Sequence, residues 1–262
     1  MTGKTIAITS QKGGAGKTTT ALFLAYGLSE RGYHVLVIDL DQQADSTYSL
    51  MHGENFDNSV TSFEAMTRQA TAKQAIISVN LMIDLIPASS KLAQLDVALA
   101  QNDLYRADLL KTALSRVKGE YDYIIIDTPP ALGLTITNAL TVADYVLIPT
   151  QADMYHIKGL ADLSKTLKQV NNPSLKIAGI LIERYNASTV FSKVQADTLA
   201  QVATMLNTRI FKTKIREAIA VKEAQQLFKP LDEYSKHSKV TQDVNNFISE
   251  FLEVTENEKQ AR

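Results

Sequence analysis

The sequence predicts an α/β fold in which helices cover both faces of a doubly wound, mostly parallel β-sheet. Short apolar runs rich in β-branched residues alternate with longer segments whose apolar residues recur every three or four positions, the pattern of βαβ units. Runs such as Ile124–Ile126 are apolar without alternation, so both faces of these strands should be covered. The predicted strands are Thr5–Thr9, His34–Asp39, Met82–Pro87, Tyr123–Asp127, Tyr145–Pro149 and Ile177–Ile182, and the predicted helices are Lys17–Arg31, Lys91–Val117, Ile157–Val170 and Val190–Leu206.

Composition indicates an ordinary folded protein and removes several functional classes. Hydrophobic residues make up 45% and charged residues 21% of the 262 residues, and no linker marks a boundary, so we expect one domain over 1–253 and a polar tail over 254–262. The absence of cysteine excludes disulfides, thiolate metal sites and cysteine-ligated iron–sulfur clusters. Neither a signal-peptide pattern nor an apolar run of membrane-spanning length is visible in the sequence, which favours a cytoplasmic protein.

The segment after the first predicted strand, Gln11–Thr19 (QKGGAGKTT), has the composition of a phosphate-binding loop that opens a helix. Glycines let successive backbone N–H groups point at one anion, and the helix N-terminus adds positive charge. Gln11 stands where the general motif has glycine, so the loop fits the variant KGGxGKT[ST], in which Lys12 is a second lysine. We therefore predict a deviant Walker A site for ATP, with a glycine turn carrying incidental lysines as the alternative. The expected contacts are Gly13, Gly14, Ala15, Gly16, Lys17, which reaches the β and γ phosphates, Thr18, whose hydroxyl holds Mg²⁺, and Thr19.

Three aspartates follow buried strands, at the sheet edge where a phosphate loop needs acidic partners. Asp39 and Asp41 end the run VLVIDLD, and Asp127 ends YIIID. One such aspartate alone is commonly a loop or capping residue, whereas three together predict a metal and water site. We expect Asp127 to bind Mg²⁺ through a water molecule and Asp39 to lie behind it. Asp41 would orient the attacking water, which makes it a catalytic candidate together with Lys17.

Four segments, KGGAGKTT, VLVIDLDQQADST, YDYIIIDTPPALGLTITNAL and VLIPTQADMYHIKGL, resemble the ParA/Soj/MinD group of ATPases. The resemblance to the ParA branch extends from Ile6 to about Phe251, with the motifs in the expected order. Gln42 is a departure, because the family usually has proline at that position.

The resemblance implies a slow, Mg²⁺-dependent ATPase that forms a homodimer with ATP between the subunits. Lys12 would then cross the interface to the partner's phosphates and act in catalysis, with a solvated loop lysine as the alternative. The resemblance also implies adenine contacts near Lys214 and from Asn186, for which an ordinary loop asparagine is an equal alternative. It further implies a ParB-type adaptor as partner. Because the chain starts at its first strand, we expect the small form without an N-terminal helix-turn-helix.

The C-terminal part decides what the ATPase acts on. The net charge of −1 gives no overall attraction to nucleic acid, but between Val190 and Val240 nine Lys/Arg stand against five Asp/Glu, a local balance of +4. We expect this patch to bind DNA phosphates without reading sequence, and to place the protein on the nucleoid; an ordinary solvated face is the alternative. The candidate DNA contacts are Arg216, where the family carries a DNA-contacting arginine, and Lys193, Lys214 and Lys222.

Other outputs of the same fold are weaker hypotheses. A MinD-like membrane regulator would end in a basic amphipathic helix, whereas Val244–Val254 is amphipathic but acidic, so we expect no membrane partner and expect its apolar residues to pack on the domain. A ligase would need a substrate pocket that the sequence does not identify. Positioning of a non-DNA cargo on the nucleoid remains an alternative, and the sequence does not distinguish plasmid from chromosome.

Overall fold

The computed structural model describes residues 3–54, 60–95, 97–98, 107–130, 133–151, 154–186 and 193–256, with the side chains of 154–159, 161–162, 193–194 and 196 excluded. Its centre is an eight-stranded sheet of order β3-β4-β2-β5-β1-β6-β7-β8, in which every pairing is parallel except that of β3 with β4. The predicted mostly parallel sheet is thus confirmed. The strands are β1 Lys4–Ile8, β2 Val35–Asp39, β3 Ile77–Ser78, β4 Ile83–Ile86, β5 Tyr123–Asp127, β6 Tyr145–Gln151, β7 Lys176–Tyr185 and β8 Ile210–Arg216.

Both faces of the sheet are buried, as the non-alternating apolar runs predict. Successive residues of one strand point to opposite faces, so Ile124 and Ile126 join one core cluster while Tyr123 and Ile125 join the other. The helices that supply the two layers are α1 Lys17–Ser29, α2 Asp45–Leu50, α3 Ser62–Met66, α4 Ala72–Ala75, α5 Leu109–Leu114, α6 Leu134–Val142, α7 Met154–Gln169, α8 Lys193–Met205, α9 Ile219–Gln226, α10 Leu231–Ser235 and α11 Lys239–Glu256.

The single helix predicted over Lys91–Val117 is wrong. The described residues form a 3₁₀-helix over Ser90–Gln94, α-helical residues at 95 and 97–98, and a separate α5 that begins after a turn at 107–108; residues 96 and 99–106 lie outside the described part. Leu92 and Leu114 nevertheless reach the same core cluster. Separate segments that bury residues in one core therefore produced the helix-like spacing of apolar residues on which the prediction of one long helix rested.

The C-terminal helix α11 covers the edge strand β8. Its carboxylates accept hydrogen bonds from backbone N–H groups of that strand: Glu250 from Lys212 (2.8 Å) and Thr213 (3.1 Å), and Asp243 from Arg216 (3.2 Å). An uncovered edge strand would offer these donors to other chains. The apolar face of the helix is buried as predicted, with Phe247, Ile248 and Phe251 fully enclosed and Leu252 partly so. Helix α11 runs to Glu256, so the first residues of the expected tail are helical.

No helix in the described part of the chain combines the length and apolar character needed to cross a bilayer.

The sheet brings the ends of β1, β2 and β5 together, because Ile8 and Asp39 each lie beside Asp127 in the register. The loops that leave these ends form the candidate site.

Candidate nucleotide-binding site

The phosphate loop follows β1 and opens α1, as the sequence predicts. Gly14 (φ 76°) and Gly16 (φ 93°) adopt left-handed backbone conformations that residues with a Cβ rarely take. Gly16 is the N-cap of α1 and supplies no side-chain cap, which leaves the positive end of the helix for a ligand. Lys17 is buried at the first helical position, and burial lowers the pKa of its ammonium while Asp127 and Asp41 raise it. The loop therefore presents a cationic cradle.

The cradle opens into a cleft of about 340 Å³. Of the expected phosphate-loop contacts, Gly13, Gly14, Gly16, Lys17, Thr18 and Thr19 line it, whereas Ala15 is buried beneath. The remaining walls come from α1, from the loops after β2 and β5, from the start of α2, from the end of β7, and from the end of β8 with α9. These wall residues are Phe23, Asp41, Gln43, Asp45, Pro130, Glu183, Arg184, Ile215, Arg216, Glu217, Ala218, Val221, Lys222 and Gln225.

Thr18 lines the cleft and contacts Asp127, which is buried and is not among the described lining residues. The Oδ2 atom of Asp127 accepts hydrogen bonds from the Thr18 hydroxyl (2.8 Å) and from the Ser46 hydroxyl (2.7 Å), while its buried Oδ1 atom has no hydrogen-bond partner. Burial raises the pKa of Asp127, and the two hydroxyls and Lys17 lower it. An unpartnered buried carboxylate oxygen beside a threonine hydroxyl fits a hydrated Mg²⁺, because Mg²⁺ keeps several of its waters.

An all-protein metal cage is not what this site offers. Among the described residues there is no group of three or more His, Cys, Asp or Glu arranged to hold a metal ion. A cation here would need oxygen ligands from a bound phosphate and from water, together with Thr18. The donor set thus fits a metal that arrives with nucleotide.

Asp39 organises the loop that carries Asp41 and does not line the cleft. Its Oδ2 accepts from the Thr47 backbone N–H and hydroxyl, both at 2.8 Å, and its Oδ1 accepts from the Asp41 N–H at 3.0 Å. Complete burial and the nearby Asp127 raise the pKa of Asp39, and the Thr47 bonds oppose that rise. Asp39 lies behind the cleft, and its two oxygens hold the loop in place.

Asp41 lines the cleft despite the unusual residue that follows it. Its Oδ1 accepts the Gln43 N–H at 3.0 Å, and the turn then passes through Ala44, whose φ of 56° is left-handed. Gln42 is exposed, so the chain does not need proline there to direct the Asp41 carboxylate into the cleft.

Two residues that sequence reasoning missed hold the phosphate loop from the side of β6 and β7. The Gln151 amide donates a hydrogen bond to the Gly14 carbonyl at 2.6 Å, and Glu183 accepts one from the Thr20 hydroxyl at 2.8 Å. The two are register partners. Burial raises the pKa of Glu183 to about 7, and Thr20 and Arg184 lower it. The sequence feature that could have identified Glu183 is a glutamate placed near the end of an apolar strand.

The predicted adenine contacts lie elsewhere than in the cleft wall. Asn186 and Lys214 are not among the described residues that line it, and the Lys214 ammonium lies 4.6 Å from the centre of the Tyr185 ring. The wall on this side consists instead of Ile215 to Ala218 and the face of α9 that carries Val221 and Gln225. Gln225 also donates a hydrogen bond to the Thr19 hydroxyl at 3.2 Å, which ties α9 to the phosphate loop.

The predicted DNA contacts fall in different surroundings. Arg216 forms a two-pronged ion pair with Asp243, at 2.5 Å from Nε and 2.8 Å from Nη2, and also lines the cleft. Lys222 lines the cleft from α9. Lys193 begins α8, but its side chain lies outside the described residues. Because Asp243 and Glu250 lie on α11 against β8, the basic character of this surface is lower than a count over 190–240 indicates.

Lys12 is half-buried and is not among the described residues lining the cleft of its own chain, unlike Lys17. A single chain thus uses one of the two loop lysines at its own cleft.

Comparison with known proteins agrees with this geometry. Residues 3–178 match the family model described as an AAA domain. The sporulation initiation inhibitor protein Soj of Bacillus subtilis is 36% identical, over 90% of this chain and 93% of that protein. The chromosome partitioning protein ParA of Myxococcus xanthus is 34% identical, over 90% of this chain and 83% of that protein.

Solved structures show the same architecture. Cobyrinic acid a,c-diamide synthase of Mycobacterium smegmatis, with bound ATP analog and magnesium, superposes with a TM-score of 0.82 at 28% identity, covering 98% of this chain and 96% of that one. A putative plasmid partition protein of Borrelia burgdorferi bound to AMPPNP gives a TM-score of 0.76 at 28% identity, covering 98% and 99%. The fold is therefore shared by proteins with different outputs.

Proposed function

Because this chain belongs to the Soj/ParA family of ATPases, we propose that it is a DNA-partitioning ATPase that dimerises with ATP, binds DNA without reading sequence and is released by partner-stimulated hydrolysis. The observation that carries the proposal is the cleft at the N-terminus of α1, which Lys17 and Thr18 line and where the Thr18 hydroxyl donates a hydrogen bond to the buried Asp127. Proteins similar to this chain were solved with ATP analogs, and in one case with magnesium.

The chain's own residues divide the work of hydrolysis. Lys17 and the N–H groups of the loop bind phosphate oxygens, Thr18 and Asp127 hold Mg²⁺ and its water, and Asp41 orients the attacking water. Bound Mg²⁺ supplies charge neutralisation on the phosphates. Asp39 and Thr47 keep the Asp41 loop in position. In this proposal hydrolysis by the chain is slow, and a ParB-type partner stimulates it.

Dimerisation completes the site in this proposal. Two triphosphates that face each other repel, and a cation donated by each subunit to the other's phosphates removes that repulsion. Lys12 suits this role, since it sits at the front of the loop without lining its own cleft. The dimer therefore depends on the presence of triphosphate.

DNA binding is proposed for the surface around β8 and α9. Arg216, Lys214 and Lys222 lie there, and cations of this kind contact phosphates and give a strong salt dependence. The acidic character of α11 and the burial of its apolar face argue against a membrane output. A function like that of the cobyrinic acid a,c-diamide synthase receives less support, because Soj and the chromosome partitioning protein ParA have a higher sequence identity to this chain than the synthase has.

The proposal is tested by gel shift on arbitrary DNA with ATP, with ADP and without nucleotide, beside sedimentation with anionic liposomes. We expect a shift with ATP only, which disappears as salt is raised, and no liposome binding. Lys17→Ala should abolish ATP binding and the shift, whereas Arg216→Ala should abolish only the shift. Lys73→Ala, which removes an exposed cation that does not line the cleft, is the control. A normal shift by Lys17→Ala, or ATP-dependent liposome binding, would contradict the proposal.

A further inference from the structure

Glu183 is a buried carboxyl group directly beside the phosphate loop. It lies near the end of β7, is 3% exposed and forms part of the cleft wall. A Cβ placed on Gly16 would lie 2.9 Å from the Glu183 Cγ and 3.1 Å from its Cδ, so the carboxyl group packs against the loop without space between them. The hydrolysis scheme above gives this acid no role.

Nearby groups only partly compensate a charge on Glu183. The Thr20 hydroxyl donates one hydrogen bond at 2.8 Å, and the Arg184 guanidinium acts electrostatically from the next position. Its register partner Gln151 is neutral and is bonded to Gly14. Burial outweighs these contacts and raises the pKa of Glu183 to about 7, so both forms exist near neutral pH. The other charged groups lining the same cleft are Lys17, Arg216 and Lys222, which are basic, and Asp41, Asp45 and Glu217, which are acidic.

Binding of nucleotide shifts the balance between the charged and neutral forms of Glu183 toward the neutral form. A triphosphate brings several negative charges into the cradle that Glu183 supports, and it engages Lys17 and the positive end of α1. Like charges in a site of low dielectric strongly favour the neutral form of a carboxyl group. An ionised Glu183 would therefore weaken phosphate binding, and a neutral one would not.

We propose that Glu183 gives up its charge when nucleotide enters, so that the chain takes up a proton from solvent as it binds ATP. The proton ends on the carboxyl group, while Oε1 continues to accept the Thr20 hydrogen bond. Affinity for ATP then falls as the pH rises through neutrality, because the proton must be acquired from a lower concentration. This inference rests on the ATP binding proposed above.

Isothermal titration calorimetry with Mg²⁺ and AMPPNP, in phosphate and in Tris at pH 7.5, measures the proton taken up per nucleotide bound. We expect the wild type to take up more protons than Glu183→Gln, with a difference of up to about one proton. Between pH 6.5 and 8.5 the wild-type dissociation constant should rise more steeply than that of the variant, by up to ~10-fold per pH unit. Protonation of the nucleotide itself cancels in this difference.

The matched control is Thr20→Val, which removes the hydrogen bond and keeps the carboxyl group; it should still take up the proton. Equal proton counts and parallel pH profiles in wild type and Glu183→Gln would overturn the inference while leaving ATP binding intact. Absence of nucleotide binding in the wild type would instead overturn the proposed function. Should Glu183→Gln not fold, infrared difference spectra of the wild type decide: the carbonyl stretch of a protonated carboxylic acid should appear on AMPPNP binding, and its absence would refute the inference.

Discussion

Asp243 on α11 accepts three hydrogen bonds from Arg216 at the end of β8: from the backbone N–H, from Nε and from Nη2. The guanidinium of Arg216, which the family resemblance suggests as a DNA contact, is thus paired with a carboxylate of its own chain. Because that carboxylate offers the two-oxygen geometry of a phosphate group, it occupies the donors that DNA would use. At the same time the pair fastens the C-terminal helix to the rim of the nucleotide cleft.

Replacing Asp243 should strengthen DNA binding. Asp243→Asn weakens the hold on Arg216 and removes a nearby negative charge, so we expect a several-fold gain in affinity for arbitrary DNA at low salt, measured by fluorescence anisotropy with ATP. Glu250→Gln is the control, because Glu250 caps the same strand through Lys212 and Thr213 without contacting Arg216. An equal gain in both variants would mean that only overall charge matters.

Lys12→Ala should separate nucleotide binding from dimerisation. Since Lys12 does not line the cleft of its own chain, we expect the variant to bind ATP within about twofold of wild type yet to stay monomeric in light scattering with ATP. Lys17→Ala, by contrast, should lose ATP binding itself. If Lys12→Ala bound no ATP, the lysine would act within its own subunit.

Asp41→Asn should bind ATP and hydrolyse it poorly. The amide oxygen can still accept the Gln43 N–H, so the loop should keep its shape while the water loses its orienting carboxylate. We expect turnover to fall by about 100-fold or more, and the ATP-bound form to remain on DNA longer in a dissociation assay. Loss of nucleotide binding would remove the role assigned to Asp41.

Gly16→Ala should destabilise the protein, whereas Gly13→Ala should not. Gly16 has a φ of 93° and its added Cβ would meet Glu183, while a Cβ on Gly13 meets nothing within 4 Å. Left-handed strain at a residue other than glycine costs of order 1–3 kcal/mol, and the contact adds to it. Thermal unfolding of both variants measures the difference, and equal midpoints would show that the loop adapts at no cost.

The stability of the nucleotide-free protein should depend on pH through Glu183. Its pKa is raised from 4.5 to about 7 by burial, so its favourable contribution is complete below 4.5 and is lost as the pH rises through 7. Glu183→Gln should therefore gain stability relative to wild type between pH 5 and pH 8, by on the order of 3 kcal/mol at most. Urea unfolding across this range checks the sign; a constant difference would show that Glu183 keeps its charge state.

Sequence by itself determined six of the eight strands and the phosphate loop, because both are local; the short β3 and the edge strand β8 were not among the predicted strands. Ile124–Ile126 and its counterparts are recognisable within a few residues, and Gly14 and Gly16 of the loop are required by the left-handed backbone conformations at their own positions. Local periodicity failed at Lys91–Val117, where separate segments bury residues in one core, and it left the short helices α2, α3, α4, α6, α9 and α10 unassigned.

Only the tertiary structure decided which polar groups meet. Ser46 and Asp127 are 81 residues apart, Thr20 and Glu183 are 163 apart, and Arg216 and Asp243 are 27 apart. Such pairs form because buried donors and acceptors must find partners wherever the sheet order places them, and no local pattern encodes that order. The phosphate loop could therefore be recognised from the sequence. The groups that support it, and the carboxylate that pairs with Arg216, could be identified only from the folded chain.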